Sequence, residues 1–152
     1  MAVTTHRTHR SRPAQTARRA GYVVAIVVNL VVLFLIHGWP GWDAVPFLSP
    51  ETTEVLPYVD ASIAVGILAN AVYVVRDGPA VKATGDLVTT LVSLVVLLQV
   101  WQVFPFDFAG VWAGWEPLTY VLLGVATFGT VIASMVQAVT LARLAASSGN
   151  DR

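Results

Sequence analysis

Four long apolar segments, separated by short connections, limit this chain to very few folds. They cover residues 21–38, 54–75, 86–104 and 116–143. Each is long enough to cross a hydrocarbon layer of about 30 Å, for which a helix needs roughly 20 residues. In lipid a helix satisfies its own backbone hydrogen bonds and an open strand does not, so the many Val and Ile residues do not favour strands. The segments therefore predict four transmembrane helices.

Composition agrees with a membrane protein. The 152 residues are 56% hydrophobic and 12% charged, whereas soluble domains average about 45–50% apolar and about 25% charged residues. The chain has no Cys, which excludes disulfides and thiolate metal sites. We therefore predict an all-α integral membrane four-helix bundle with up-down-up-down topology.

The basic residues lie on one side of this topology. They fall in the N-terminal tail, the connection between the second and third segments, and the C-terminal region: Arg7, Arg10, Arg12, Arg18, Arg19, Arg76, Lys82, Arg143 and Arg152. The positive-inside rule then predicts that both termini are cytoplasmic and that the other two connections face outward. The first segment lacks a small-x-small cleavage site, so we interpret it as an uncleaved anchor. The prediction is a multi-pass plasma-membrane protein.

The remaining regions are short. Residues 1–19 lack apolar periodicity and predict a disordered basic cytoplasmic tail. Residues 20–143 form the transmembrane domain, and residues 144–152 predict a flexible cytoplasmic tail. Asp86 is predicted to cap the third helix. No motif indicates a cofactor, a metal site or a nucleic-acid partner.

Polar residues within the segments predict two layers. Counted at about 1.5 Å per residue, one layer lies in the outer half and one in the inner half. The outer layer holds a candidate proton, cation or polar cluster: Asn29, Asp60, Gln99, Gln102 and His37. The inner layer is interpreted as helix packing: Asn70, Ser93, Ser134 and Gln137.

Asp60 permits two interpretations. As a buried acid, it would carry a proton or bind a cation, with His37 as its titratable partner. Alternatively, Pro57 stands at the first helical position and leaves Asp60 near the first turn. There the helix dipole favours a carboxylate, and no further role is needed.

The two outer connections are rich in aromatic residues and Pro. We expect them to form a compact aromatic cap over the helix ends, since Trp and Tyr prefer the headgroup level. The predicted cap consists of Trp39, Trp42, Phe47, Trp101, Phe106, Trp112 and Trp115. Interfacial anchoring does not explain the acids Asp43 and Asp107, which are therefore candidates for a specific role.

Two stretches carry a resemblance to a known group. WPGWDAVPFL and DLVTTLVSLVVLLQVWQVFPFDF, with the four-segment layout, resemble small uncharacterised membrane proteins of high-GC actinobacteria. The resemblance covers most of residues 21–143. It implies a four-helix integral membrane protein and no particular activity.

Three functions fit these residues. The first is a non-enzymatic accessory or assembly component of an envelope membrane complex, self-associating or bound to a membrane-protein partner. The second is a small transporter or channel-like protein that uses Asp60. The third is a protein that binds membrane lipid or quinone between apolar walls supplied by Trp42, Phe106 and Trp112.

Overall fold

The computed structural model describes residues 15–110 and 114–149, in which every long element is a helix. A short 3-10 helix, Trp42–Ala44, interrupts the first connection. By length and composition, all four long helices are able to cross a membrane. The prediction of an all-α protein with four apolar spans is therefore confirmed. The helices are α1 (Gln15–His37), α2 (Thr52–Val75), α3 (Pro79–Val103) and α4 (Trp115–Gly149).

The helices extend further than the apolar segments predicted. Residues 15–19 belong to α1, so the predicted disordered tail does not extend to them. Residues 144–149 belong to α4, and their predicted flexibility stays a prediction. Basic and small residues continue a helix readily once an apolar segment has formed it. Residues 1–14 and 150–152, for which the same predictions were made, lie outside the described residues.

α3 begins at Pro79, and Asp86 does not cap it. Pro is favoured at the first helical position because its missing N–H would lack a helical partner there in any case. Asp86 lies two turns into the helix, where its carboxylate accepts hydrogen bonds from Lys82. The turn between α2 and α3 is consequently only three residues long, residues 76–78.

α2 begins at Thr52, so the interpretation that Pro57 begins this helix is wrong. A turn at Ser49 and Pro50 leads into α2, because their carbonyls accept hydrogen bonds from the amides of Thr52 (3.0 Å) and Thr53 (3.2 Å). Asp60 therefore lies eight residues beyond the first residue of α2, about 12 Å along the axis.

Each helix packs against its neighbours in sequence. α2 contacts α1 and α3, and α3 contacts α4. Among the described residues, α1 contacts neither α3 nor α4. The four helices therefore form an open bundle, in which α1 and α4 are the flanks and each has a single helical partner.

The bundle has two chemically different ends. The aromatic end consists of the connections at residues 38–51 and 104–114, which follow α1 and α3. The basic end consists of the start of α1, the turn at residues 76–78 and the end of α4.

Few side chains are buried between the helices. The described part of α1 has no buried residue, and no large side chain of the described chain is completely buried. Lipid does not drive apolar helices together as water does, so contacts of this kind depend on local packing. The buried apolar residues are Val55, Ile63, Tyr73 and Ala83.

Candidate functional site

Backbone hydrogen bonds join the two connections at the aromatic end. The amide of Ser49 donates to the carbonyl of Pro105 at 3.2 Å, and the amide of Asp107 donates to the carbonyl of Phe47 at 3.0 Å. This pairing is that of an isolated antiparallel β-bridge. Pro105 is itself buried. The two connections therefore form one unit, although they are about 55 residues apart in sequence.

The backbone of Phe104 turns the chain from α3 into this unit. Phe104 has φ 45° and ψ 66°, a left-handed conformation that costs a residue with a Cβ roughly 1–2 kcal/mol. Two contacts hold it. Its carbonyl accepts a hydrogen bond from the amide of Phe106 at 2.7 Å, and its ring stacks on Tyr120 of α4 with centroids 4.3 Å apart.

Further aromatic rings line a cavity beneath the joined connections. The rings of Phe106 and Phe108 are stacked at 6.0 Å, and those of Phe47 and Phe108 at 6.5 Å. With Trp115 and Thr119 of α4, these rings line an open cavity of about 350 Å³. Its walls thus come from both connections and from the first two turns of α4.

The Trp residues of the predicted cap have different environments. Trp39 is 77% exposed, and Trp42 lies in the 3-10 helix, partly buried. Trp101 donates from its indole Nε1 to the hydroxyl of Thr127 at 3.0 Å, which links α3 to α4. Trp115 begins α4 and lines the cavity, whereas Trp112 lies outside the described residues.

His37 and Asp60 form a pair between α1 and α2. Nε2 of His37 and Oδ1 of Asp60 are 2.8 Å apart, and their side chains are 46% and 35% exposed. His37 is the last residue of α1. Asp60 is therefore level with the end of an apolar helix, in a half-exposed position rather than deep between helices.

The other residues of the predicted outer cluster do not join this pair. Asn29 donates to the carbonyl of Ala25 in its own helix at 2.9 Å, and its amide lies beside Gly66 of α2. Gln99 and Gln102 are on α3, which does not contact α1 within the described ranges. The prediction that Gln99 and Gln102 join one outer cluster therefore stays a prediction. Counting along a helix gives a residue's level and not the direction in which it faces.

The residues of the predicted inner layer bond mainly within their own helices. Asn70 donates to the carbonyl of Gly66 at 2.8 Å, and Ser93 and Ser134 donate to carbonyls four residues earlier, at 2.9 Å each. Such bonds satisfy a polar group in lipid without a partner helix. Oε1 of Gln137 is buried without a hydrogen-bond partner.

The two acids that were candidates for a specific role, Asp43 and Asp107, lie in local turns of the aromatic end. Asp107 accepts a hydrogen bond on Oδ1 from the amide of Ala109 at 2.8 Å, an arrangement typical of Asp in turns. The carboxylate of Asp43 lies where a Cβ atom at Gly41 would stand, and Gly41 has φ 90°. Only Gly adopts this conformation readily. These contacts give both acids a structural role.

A polar and aromatic network at the basic end was not predicted. Nε of Arg18 donates to Oδ2 of Asp77 at 2.7 Å, and the hydroxyl of Tyr22 donates to Oδ1 at 3.1 Å. The hydrogen bond from Arg18 is the main cause that holds the pKa of Asp77 below its usual value, against an opposing effect of desolvation. These hydrogen bonds connect the start of α1 to the turn between α2 and α3.

Tyr73 continues this network into α3. Its ring meets Tyr22 edge to face with centroids 5.4 Å apart. Its hydroxyl lies 3.1 Å from the carbonyl of Lys82 and 3.0 Å from Oδ1 of Asp86. The Lys82 ammonium donates to Asp86 at 2.9 Å and stands 5.1 Å from the Tyr73 ring centre. The signal in the sequence was a Tyr near the start of the first segment and another near the end of the second, both at the end of the bundle that also carries Asp77 and Asp86.

No metal site is evident from the arrangement of potential ligands. In residues 15–110 and 114–149, no three His, Cys, Asp or Glu side chains are grouped closely enough to hold an ion. Asp60 has His37 beside it but no third ligand of this kind. Zinc sites in proteins are built from at least three such groups.

Comparisons with known protein families, with characterised proteins and with solved structures found no match to this chain. Its resemblance to actinobacterial membrane proteins therefore stays a prediction.

Proposed function

We propose that this chain is a non-enzymatic integral membrane protein that acts by association within the membrane, as an accessory or assembly component of an envelope complex. The observation that carries this proposal is the open arrangement of the helices. Within the described residues, α1 and α4 each pack against one long helix. Both helices therefore present wide faces to their surroundings.

The exposed faces fit protein partners as well as lipid. On α1, Val24 is 60% exposed and Phe34 is 61% exposed. The half-exposed pair of His37 and Asp60 also lies between α1 and α2. Polar groups that face hydrocarbon are costly, so protein or headgroup contact at this pair is favoured over acyl chains. A second copy of the chain or another membrane protein offers both an apolar surface for α1 and polar groups for the pair of His37 and Asp60.

The orientation that fits this function places the aromatic end outside a plasma membrane. The distribution of Lys and Arg supports cytoplasmic termini. In that orientation the joined connections face extracytoplasmic partners, and the network of Arg18 and Asp77 lies at the cytoplasmic surface. The joined connections are preorganised by their backbone hydrogen bonds, which reduces the entropy lost when a partner binds.

Single-cysteine cross-linking tests association directly, because the chain has no Cys of its own. Val24→Cys places a thiol on α1, Val125→Cys places one on α4, and both native side chains are at least 60% exposed. Ala83→Cys is the matched control, since Ala83 is buried at 9% exposure. We expect cross-linked species from the α1 or α4 variants in native membranes. The absence of any product from both would contradict the proposal.

A small transporter is the second candidate, favoured by the 2.8 Å contact between His37 and Asp60. An imidazole and a carboxylate at this distance provide a donor and an acceptor for a proton. Proteoliposomes containing Asp60→Asn should then lose proton- or cation-driven flux, while Asp107→Asn should keep it. If the wild-type protein shows no flux, this candidate is eliminated.

A further inference from the structure

We propose that the cavity at the aromatic end binds one acyl chain of a membrane phospholipid. Its volume of about 350 Å³ lies within the range of about 300–1,000 Å³ that is usual for ligand sites. Phe47, Phe106, Phe108, Trp115 and Thr119 form its walls. The ligand class follows from these walls and from the route by which a ligand reaches them.

The walls fit a hydrocarbon chain rather than a polar group. Four of the five lining residues are aromatic, and none is charged. The hydroxyl of Thr119 already donates to the carbonyl of Trp115 at 2.9 Å. A quinone ring or a phosphate placed here would lose hydrogen bonds to water and find few donors in return, which is unfavourable. A methylene chain loses no such bonds.

The route to the cavity lies along α4. Trp115, Thr119 and Leu122 recur at i, i+4 and i+7, so they share one face of the helix. Leu122 is 59% exposed, and Leu118 beside it is 39% exposed. The cavity therefore continues the apolar surface of α4. A chain from the surrounding bilayer reaches it without crossing water.

The cavity is also held open by fixed elements. The bond from the amide of Ser49 to the carbonyl of Pro105 sets the distance between the two connections. The stacking of Phe104 on Tyr120 fixes the second connection to α4. A bound chain therefore meets walls that are already in place, so binding orders little of the protein.

Photochemical labelling tests this site. The full chain is reconstituted in phosphatidylglycerol vesicles that contain a lipid with a diazirine in its acyl chain, and adducts are mapped by mass spectrometry. We expect more label on Phe47, Phe106 and Phe108 than on Val125, which is 68% exposed on α4. Equal or greater labelling of Val125 would show a lipid annulus only and overturn the proposal.

A substitution that fills the cavity provides a second test of this site. Thr119→Leu should lower the label at the cavity about tenfold, a loss of about 1.4 kcal/mol in binding. Thr140→Leu is the matched control, because Thr140 lies on the same helix and also donates to the carbonyl four residues earlier. It should leave the label unchanged. Label that persists in a folded Thr119→Leu variant would contradict the site.

A third variant covers the case in which Thr119→Leu does not fold. Phe47→Trp fills the cavity from the first connection instead of from α4, and it should lower the label in the same way.

A diazirine-bearing isoprenoid quinone that labels the cavity where the phospholipid does not would overturn the assignment of an acyl chain. A monomeric protein with a labelled cavity would contradict association and leave this site standing.

Discussion

The hydroxyl of Tyr73 on α2 lies against the backbone of Gly85 on α3, in the space that a Cβ atom at Gly85 would occupy. Tyr73 is only 4% exposed, and its hydroxyl stands 3.0 Å from the carboxylate of Asp86. Close approach of α2 and α3 therefore depends on a glycine at position 85. This contact joins the two central helices at the basic end.

Gly85→Ala should destabilise the protein. The added methyl group collides with a buried ring, and overpacking of this kind costs about 1–3 kcal/mol. Thermal unfolding of the purified protein in one detergent measures the effect. Gly124→Ala is the control, since no atom lies within 4 Å of its added Cβ, and it should change stability by no more than about 1 kcal/mol. Equal melting temperatures for the two variants would contradict the contact.

Gly66 should tolerate a small side chain and reject a large one. A Cβ atom at Gly66 would stand 3.7 Å from the amide nitrogen of Asn29, an ordinary contact. Gly66→Ala should therefore keep the melting temperature close to that of the wild type. Gly66→Leu should displace Asn29, separate α1 from α2 and cost about 1–3 kcal/mol.

Gly129→Leu is the control for Gly66→Leu, because Gly129 has no atom within 4 Å of its added Cβ. It should be tolerated. If Gly66→Leu proves as stable as Gly129→Leu, α1 does not pack on α2 through this glycine.

Stability at the basic end should fall in acid. The hydrogen bond from Arg18 holds the pKa of Asp77 below its ordinary value of 3.8. A carboxylate with a lowered folded-state pKa stabilises the protein above the unfolded-state pKa. This contribution is lost as the pH falls below 3.8 toward the folded-state pKa.

Melting temperatures of the wild type and of Asp77→Asn, recorded across this acid range, check the prediction. The wild type should be the more stable at neutral pH, and the difference should shrink below about pH 4. Asp43→Asn is the control from the opposite end of the bundle. A difference between the wild type and Asp77→Asn that does not change with pH would contradict the role of the Asp77 carboxylate.

Labelling of intact cells should separate the two ends of the bundle. Ala44→Cys and Ala80→Cys are matched changes at exposed positions, the first in the 3-10 helix and the second in the first turn of α3. A membrane-impermeant maleimide should label Ala44→Cys only. Labelling of Ala80→Cys alone would reverse the proposed orientation.

The number and type of the long elements could be predicted from the sequence, and their arrangement could not. Uninterrupted apolar segments predict spanning helices on length alone. In water an apolar stripe marks the side of a helix that faces the core, but α1 is apolar on its exposed face also, as Val24 and Phe34 show. The sequence therefore carries little signal about which helices touch.

At the candidate site, too, some contacts could be predicted from the sequence and others could not. His37 was predicted as the partner of Asp60, and the two side chains are in contact. Gln99 was expected near them, but it lies on α3, which does not reach α1 in the described part of the chain. The contact of Tyr73 with Asp86 was missed because Asp86 was considered only as a cap of the third helix.

The mass of the assembly extracted from the membrane tests most directly the claim that this protein acts by association. The protein is extracted with a polymer that retains native lipid, and native mass spectrometry weighs the intact assembly. Association predicts particles that contain more than one protein chain, whether copies of this 16.3 kDa protein or a stoichiometric partner. Particles that contain a single chain and lipid alone would contradict it.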